Sequence, residues 1–321
     1  MLKERRHNLL AVTDVLGMLA VLGGLVVYFS IRSPNFLTTT NFIGIANQIP
    51  AAILLAVGMT LVLITAGIDL SVGSVLGLSG AILGLALERF SLSLPVAIFG
   101  SLVAATFCGM INGLVIVRWA LPPFIVTLGM LEVARGMTFL LTETRTIYLG
   151  SKVSGIAEAG IGNISWLFVL SLLAAIGIQL VLSRTAFGRH IVALGANENA
   201  AYLSGINTKC VKVAVYSISG LLCGFAALVN TARMASANPN AGTGVELEAI
   251  AAVVIGGTSL MGGRGSVTNS LLGVAIMAVL GSGLSQVGAE EATKRMITGL
   301  VIVLAVVLDY YRTRIITKRG N

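Results

Sequence analysis

One polar interval, Ser183–Lys212, reads SRTAFGRHIVALGANENAAYLSGINTKCVK and separates two long apolar runs that carry no charge. Within it, Asn197 stands in the position of a helix N-cap, because its side-chain oxygen can accept an unpaired backbone N–H. Glu198 follows in the first turn, where the helix dipole favours a negative charge. Gly205 can adopt the left-handed conformation that ends a helix. The pattern predicts a short helix over Glu198–Ser204, and since about two turns are not stable alone, we expect it to contact another subunit.

The composition of the 321-residue chain indicates a polytopic membrane protein. Only 11% of residues are charged and 56% are hydrophobic, whereas soluble domains have about 25% charged residues. The net charge of +8 does not indicate nucleic acid, because the basic residues bracket apolar segments instead of forming one patch. The sequence has three cysteines, Cys108, Cys210 and Cys223, and no two of them form a CxxC pair. We therefore expect no metal site and no disulfide framework.

A bilayer core about 30 Å thick needs roughly 20 apolar residues per helix. Charges, glycines and prolines divide the chain into about ten predicted spans: 12–31, 42–65, 70–87, 94–117, 121–141, 164–182, 213–234, 249–261, 267–287 and 293–311. The segment 249–261 is short for a full span. We interpret residues 1–321 as a single all-α transmembrane domain, with Ser183–Lys212 as the loop between spans six and seven.

The basic residues predict the orientation of these spans. An even number of spans places both termini on one side, and that side carries most of the lysines and arginines. They are Lys3, Arg5, Arg6, Arg118, Arg184, Arg189, Lys209, Lys212, Arg264, Arg312, Arg314, Lys318 and Arg319. We expect this side, with the Ser183–Lys212 loop, to be cytoplasmic.

Glycines predict how the helices meet. Gly73, Gly77, Gly80 and Gly84 recur every three or four residues in the third span, so a neighbouring backbone can approach that face closely. Asp69 precedes the third span as a candidate N-cap. Thr243–Glu246 fits a capping box ahead of the eighth span.

No catalytic residue or bound cofactor is predicted for this chain. A phosphate-binding loop needs Gly-Lys followed by Ser or Thr, and the sequence contains no Gly-Lys pair. Glu132 and Arg135, three residues apart inside the fifth span, share a helix face and can pair. Polar groups inside spans or at their junctions, such as Asn112, mark candidate positions near a transport path. The candidates are Asp69, Ser71, Asn112, Glu132 and Arg135.

Several separated motifs resemble the ribose-type permease family of bacterial ATP-binding cassette (ABC) importers. The strongest are Leu55–Ser74, Thr185–Ile206 and Ala249–Ser266, and the segments Ser33–Phe36 and Asn238–Gly244 also match. The resemblance implies a type II importer permease bundle in the bacterial inner membrane, carrying a monosaccharide such as ribose.

The resemblance also implies partners. They are a second permease copy, as a homodimer or heterodimer, two cytoplasmic ATPase domains that bind ATP and Mg²⁺, and a periplasmic sugar-binding protein. The loop between spans six and seven would couple to the ATPase through Gly188, Arg189, Ala193, Gly195, Asn197, Ala200, Ala201, Gly205 and Ile206. A permease for another solute of the same superfamily, such as a branched-chain amino acid, a nucleoside or autoinducer-2, is the alternative. A secondary sugar transporter is disfavoured because intramembrane acids are scarce.

Overall fold

The computed structural model describes the backbone of residues 2–318 and the side chains of residues 15–307. Its helices are α1 (Leu2–Arg32), α2 (Thr39–Gln48), α3 (Pro50–Ile64), α4 (Val72–Glu88), α5 (Leu94–Trp119), α6 (Pro123–Thr142), α7 (Ser151–Glu158), α8 (Trp166–Arg184), α9 (Ala186–Ala196), α10 (Glu198–Leu203), α11 (Thr208–Met234), α12 (Val245–Ile255), α13 (Val267–Gln286) and α14 (Glu291–Lys318). Four two-residue strands complete the structure: β1 (Ile147–Tyr148), β2 (Gly160–Ile161), β3 (Ile164–Ser165) and β4 (Ser236–Ala237).

The predicted all-α polytopic membrane protein is confirmed. Among the described residues, six helices are long and apolar enough to cross a bilayer, fewer than the roughly ten predicted spans; α4 is apolar but shorter. The six are α1 from Val15 onward, α5, α6, α8, α11 and α13. The helices α2 and α3 form a further candidate span that is bent by 47°. The terminal basic residues behind the predicted orientation, Lys3, Arg5, Arg6, Arg312, Arg314, Lys318 and Arg319, lie outside the described side chains.

The bend in the second span follows from Pro50. This proline is the first residue of α3, where its missing N–H and fixed φ suit a helix start. Upstream, the N-cap Thr38 accepts a hydrogen bond from the Asn41 amide and begins α2. The single predicted span 42–65 is therefore two helices that meet at Ile49.

Helix α3 lies at the centre of the bundle. Its side chains are buried on every face from Ile53 to Ile64, as expected for a helix that is apolar all round. Helices α8, α11, α12 and α13 pack around it.

The glycine-lined face of α4 is packed as predicted, but mostly against non-helical backbone. A Cβ at Gly73 would overlap the Gly242 carbonyl, and one at Gly77 would lie 3.0 Å from the Ala241 carbonyl oxygen. A Cβ at Gly84 would lie 2.9 Å from that of Ala237. The small residues of α4 therefore admit the connection between α11 and α12.

The eighth span differs from the predicted helix 249–261. Helix α12 begins earlier, at Val245, and ends at Ile255, before a glycine-rich connection to α13. Its 11 residues extend only about 16 Å at the α-helical rise, half of a bilayer core.

The loop between α6 and α8 is folded. Helix α7 lies within it, and β2 pairs antiparallel with β3. Strand β1 pairs antiparallel with β4, with Ile147 opposite Ala237. The loop is therefore tied directly to the start of the connection that follows α11.

Candidate coupling site and transport path

The predicted short helix exists and has the predicted cap. The Asn197 side chain accepts a hydrogen bond from the Ala200 amide at 2.9 Å. Helix α10 ends at Leu203, one residue before the predicted end, and Gly205 has a φ of 83°. Sequence reasoning missed the helix before it, α9, although Thr185 signals its start by accepting a hydrogen bond from the Gly188 amide.

Helix α10 has one buried and one exposed side. Ala201 is only 4% exposed, whereas Tyr202 and Leu203 are 67% and 84% exposed. An ion pair of 2.7 Å between Lys212 Nζ and Glu198 Oε2 joins the helix to α11. The outer side of α10 therefore presents an aromatic and an aliphatic side chain on a small, anchored support.

Helix α9 joins α10 to the bundle through its last turn. A Cβ at Gly195 would overlap the Ile64 carbonyl and lie 2.6 Å from the Gly263 amide nitrogen. Those two groups are themselves hydrogen-bonded, N to O, at 2.9 Å. Gly195 therefore lies in contact with both the end of α3 and the α12–α13 connection.

The remaining predicted coupling residues are distributed over both faces of the α9–α10 unit. Gly188 is buried against the backbone of Leu182. Arg189 and Ala200 are exposed, and Ala193 and Ile206 are half-buried. The exposed members lie on a surface that a partner can reach.

A cavity of about 380 Å³ lies under the start of α10. Asn197, Glu198 and Lys212 line it on one side, and the α3–α4 connection with Tyr216 lines it on the other. The Tyr216 hydroxyl is buried and has no hydrogen-bond partner among the described residues. The cavity leaves space between α10 and the bundle.

Three predicted path residues, Asp69, Ser71 and Asn112, come together in one buried cluster. Asp69 Oδ1 accepts from the Ser71 amide at 3.0 Å and from the Ser71 hydroxyl at 2.6 Å. Asn112 Nδ2 donates to the Ser71 hydroxyl at 2.9 Å, and Ser219 Oγ donates to Asp69 Oδ2 at 3.2 Å. Sequence reasoning missed Ser219. The N-cap of α4 is Ser71, so Asp69 closes a turn before the helix instead of capping it.

Arg135 does not form the predicted ion pair with Glu132; no such pair occurs among the described side chains. Instead, its Nη1 donates to the carbonyls of Pro239 and Ala241, both at 2.8 Å. These carbonyls belong to non-helical backbone, which needs hydrogen-bond partners at membrane depth, and Arg135 supplies them. Glu132 remains exposed on the same side of α6.

The predicted capping box at Thr243–Glu246 is wrong in detail. The N-cap of α12 is Gly244, with a φ of 88° and no side-chain cap. Thr243 Oγ1 donates to the Asn240 carbonyl at 2.8 Å, and Glu246 Oε1 accepts from the Gly244 amide at 3.2 Å. The left-handed glycine sets the direction of α12.

Comparison with known proteins identifies the family. The sequence profile described as "Branched-chain amino acid transport system / permease component" matches residues 41–306. The chain belongs to this family. The match contains α9, α10, the buried polar cluster and the whole eighth span of the permease. Family membership confirms a multi-pass transport permease of the inner membrane and not an enzyme.

Curated relatives of the permease cover nearly its whole length. It is 39% identical over 293 residues to the ribose import permease protein RbsC of Escherichia coli (strain K12), covering 89% of this chain and 90% of that one. It is 40% identical over 313 residues to RbsC of Bacillus subtilis (strain 168), covering 96% of each chain. It is 34% identical over 318 residues to the D-allose transport system permease protein AlsC of Escherichia coli (strain K12), covering 98% of this chain and 96% of that one.

Proposed function

We propose that the permease is the membrane subunit of an ABC importer for a monosaccharide, ribose or a related sugar. Its relatives carry the names of ribose and allose permeases. Within the structure, the observation that supports the proposal is the α9–α10 unit. This short, anchored helix exposes Tyr202 and Leu203, and a helix with such exposed apolar side chains can bind in a groove on a partner protein.

The partner of α10 would be a cytoplasmic ATPase subunit. ATP and Mg²⁺ would bind to that subunit, and this chain would bind no cofactor. Closure of the ATPase would move α9 and α10 together as a lever. Because Gly195 contacts the connections at Ile64 and Gly263, the movement would reach α3, α4, α12 and α13 without an intermediate element.

The assembly would contain two permease copies, identical or related, with the path between them in the bilayer. Both termini and α10 would be cytoplasmic, which agrees with the distribution of basic residues. A periplasmic sugar-binding protein would dock on the opposite end, where α7 and the strand pairs form a folded surface. That protein would provide most of the sugar selectivity, since the described part of this chain shows no charged sugar site.

Uptake into vesicles tests this function. The permease is reconstituted with the ATPase and the binding protein encoded beside its gene, and labelled ribose, allose, galactose, fructose and leucine are supplied in turn. We expect ATP-dependent uptake of one or more monosaccharides and no uptake of leucine. Uptake of leucine alone would support the branched-chain amino acid alternative. Uptake without the ATPase, driven by an ion gradient, would support a secondary transporter.

A further inference from the structure

The eighth span is a broken crossing with one non-helical half. Ala237 lies beside Gly84, near one end of α4, and Gly242 lies beside Gly73, near the other. Those two glycines are separated by about 16 Å at the α-helical rise. Residues 237–242 therefore run along α4 as non-helical backbone made of turns, in which the Ala241 amide donates to the Asn238 carbonyl. Helix α12 continues for about 16 Å more. Together the halves cover a bilayer core of about 30 Å.

Backbone carbonyls on the inner side of the non-helical half find hydrogen-bond partners in the bundle. Arg135 binds the carbonyls of Pro239 and Ala241, and it lies about 18 Å along α6 from Pro123 and about 10 Å from Thr142. Pro239 is buried. The contacts with Arg135 and α4 thus place this backbone well inside the membrane, and not on its surface.

The outer side is polar and exposed. Asn238, Asn240 and Thr243 are exposed, whereas Pro239 between the two asparagines is buried. The Asn240 side chain has no hydrogen-bond partner among the described residues. On α6, Glu132 lies three residues before Arg135, is exposed and has no ion-pair partner in the described part of the chain.

Lipid cannot cover this edge. Non-helical backbone at membrane depth occurs only where it is buried in protein or lines a water-filled cavity. The same argument applies to the Asn240 side chain and to Glu132, which have no hydrogen-bond or ion-pair partner among the described residues. Asn238 Oδ1 and the Thr243 hydroxyl each make one local hydrogen bond, at 2.8 Å, and keep the capacity for more. Amides and a hydroxyl can both donate and accept hydrogen bonds, which suits the many hydroxyls of an uncharged sugar.

We infer that Asn238, Asn240 and Thr243, with Glu132 beside them, line the water-filled transport path and contact the hydroxyls of the passing sugar. The inference rests on the proposed function for the identity of the solute, but not for the presence of water. It adds a sugar-contacting edge within the membrane to the selectivity that the binding protein provides.

Cysteine labelling tests the path. In a background with Cys108, Cys210 and Cys223 replaced by alanine, Asn240→Cys is compared with Ile176→Cys. Ile176 lies mid-way along α8 and is exposed next to exposed Leu173 and Leu180, an apolar strip suited to lipid. A charged, membrane-impermeant methanethiosulfonate is added to vesicles that hold the complete importer, and modification is read by mass. We expect modification of Asn240→Cys, slowed while ribose is imported, and none of Ile176→Cys. Equal resistance of both cysteines would overturn the inference.

An uptake measurement keeps the test decisive if the cysteine-free background fails to fold. In the natural sequence, Asn240→Leu keeps the side-chain size but removes its hydrogen bonds. We expect ribose uptake to fall about tenfold, with ATP hydrolysis still stimulated by the binding protein. Unchanged uptake in this variant would contradict sugar contact. Failure of the wild-type protein to import any monosaccharide would instead reject the proposed function, and labelling of Asn240→Cys would still report on the path.

Discussion

The amide of Gly263 donates a hydrogen bond of 2.9 Å to the carbonyl of Ile64, which joins the α12–α13 connection to the end of α3. Gly195 of α9 lies against both groups. Three segments far apart in sequence therefore meet at one point, directly behind the helix proposed to contact the ATPase.

Gly195→Ala should disrupt this junction. The added methyl group would overlap the Ile64 carbonyl, and such overpacking costs about 1–3 kcal/mol. We expect loss of ATP-driven uptake and a lower melting temperature. Gly177→Ala in α8 is the matched control, because a Cβ there meets open space. Equal uptake by Gly195→Ala and wild type would contradict this prediction, because it would show that α9 can move away from Ile64 and Gly263 without loss of transport.

Gly205→Val should uncouple transport from ATP hydrolysis. A Cβ at this position meets nothing within 4 Å, so its effect comes from the positive φ of 83°. That conformation costs an ordinary residue about 1–2 kcal/mol, and a β-branched residue is the least tolerant of it. The measurement is sugar imported per ATP hydrolysed, which we expect to fall. Gly205→Asn, which tolerates the left-handed region, should keep most of the coupling; a similar loss in both variants would argue against a backbone effect.

Asp69→Ala should destabilise the bundle more than Asp69→Asn. Alanine leaves the buried Ser71 amide and hydroxyl without their acceptor, at a cost of about 1–3 kcal/mol. Asparagine keeps one acceptor oxygen, and its amide can donate to the hydroxyl of Ser219. Thermal unfolding in detergent measures the difference. If Asp69→Asn unfolds as readily as Asp69→Ala, the carboxylate charge matters and not only its hydrogen bonds.

Arg135→Met should impair uptake more severely than Arg135→Lys. Methionine leaves the carbonyls of Pro239 and Ala241 unpartnered at membrane depth, with about 1–3 kcal/mol lost for each. Lysine retains a donor, although not the planar guanidinium. Initial rates of uptake at equal protein in the membrane give the comparison. Arg145→Met, at an exposed loop position, is the control and should behave as wild type.

The sequence predicts much of the helical framework because long apolar runs have few alternatives in a bilayer. The local capping predictions at Asp69 and Thr243–Glu246 are wrong, whereas two others, the N-cap at Asn197 and the left-handed Gly205, are confirmed. Each depends on side-chain chemistry within a few residues of the helix end, and for that reason needs no knowledge of the tertiary structure.

What the sequence did not predict depends on contacts between distant segments. The apolar run after Ala249 favours a helix to residue 261, but Gly256 and the following glycines end it at the junction with α3 and α9. The proximity of Glu132 suggests an ion pair for Arg135, yet the backbone of the eighth span is its actual partner. Ser219 carries no local signal for its bond to Asp69, since 150 residues separate them.

The pairing of β1 with β4 has a consequence for attempts to redesign the permease. One uninterrupted stretch, from Ser236 to Gly263, pairs with β1 of the α6–α8 loop, contains the proposed sugar-contacting edge and ends against α9, the proposed lever. Under the proposed function, selectivity and energetic efficiency cannot be adjusted separately there: a substitution that favours a new cargo will also alter how many ATP molecules each imported molecule consumes.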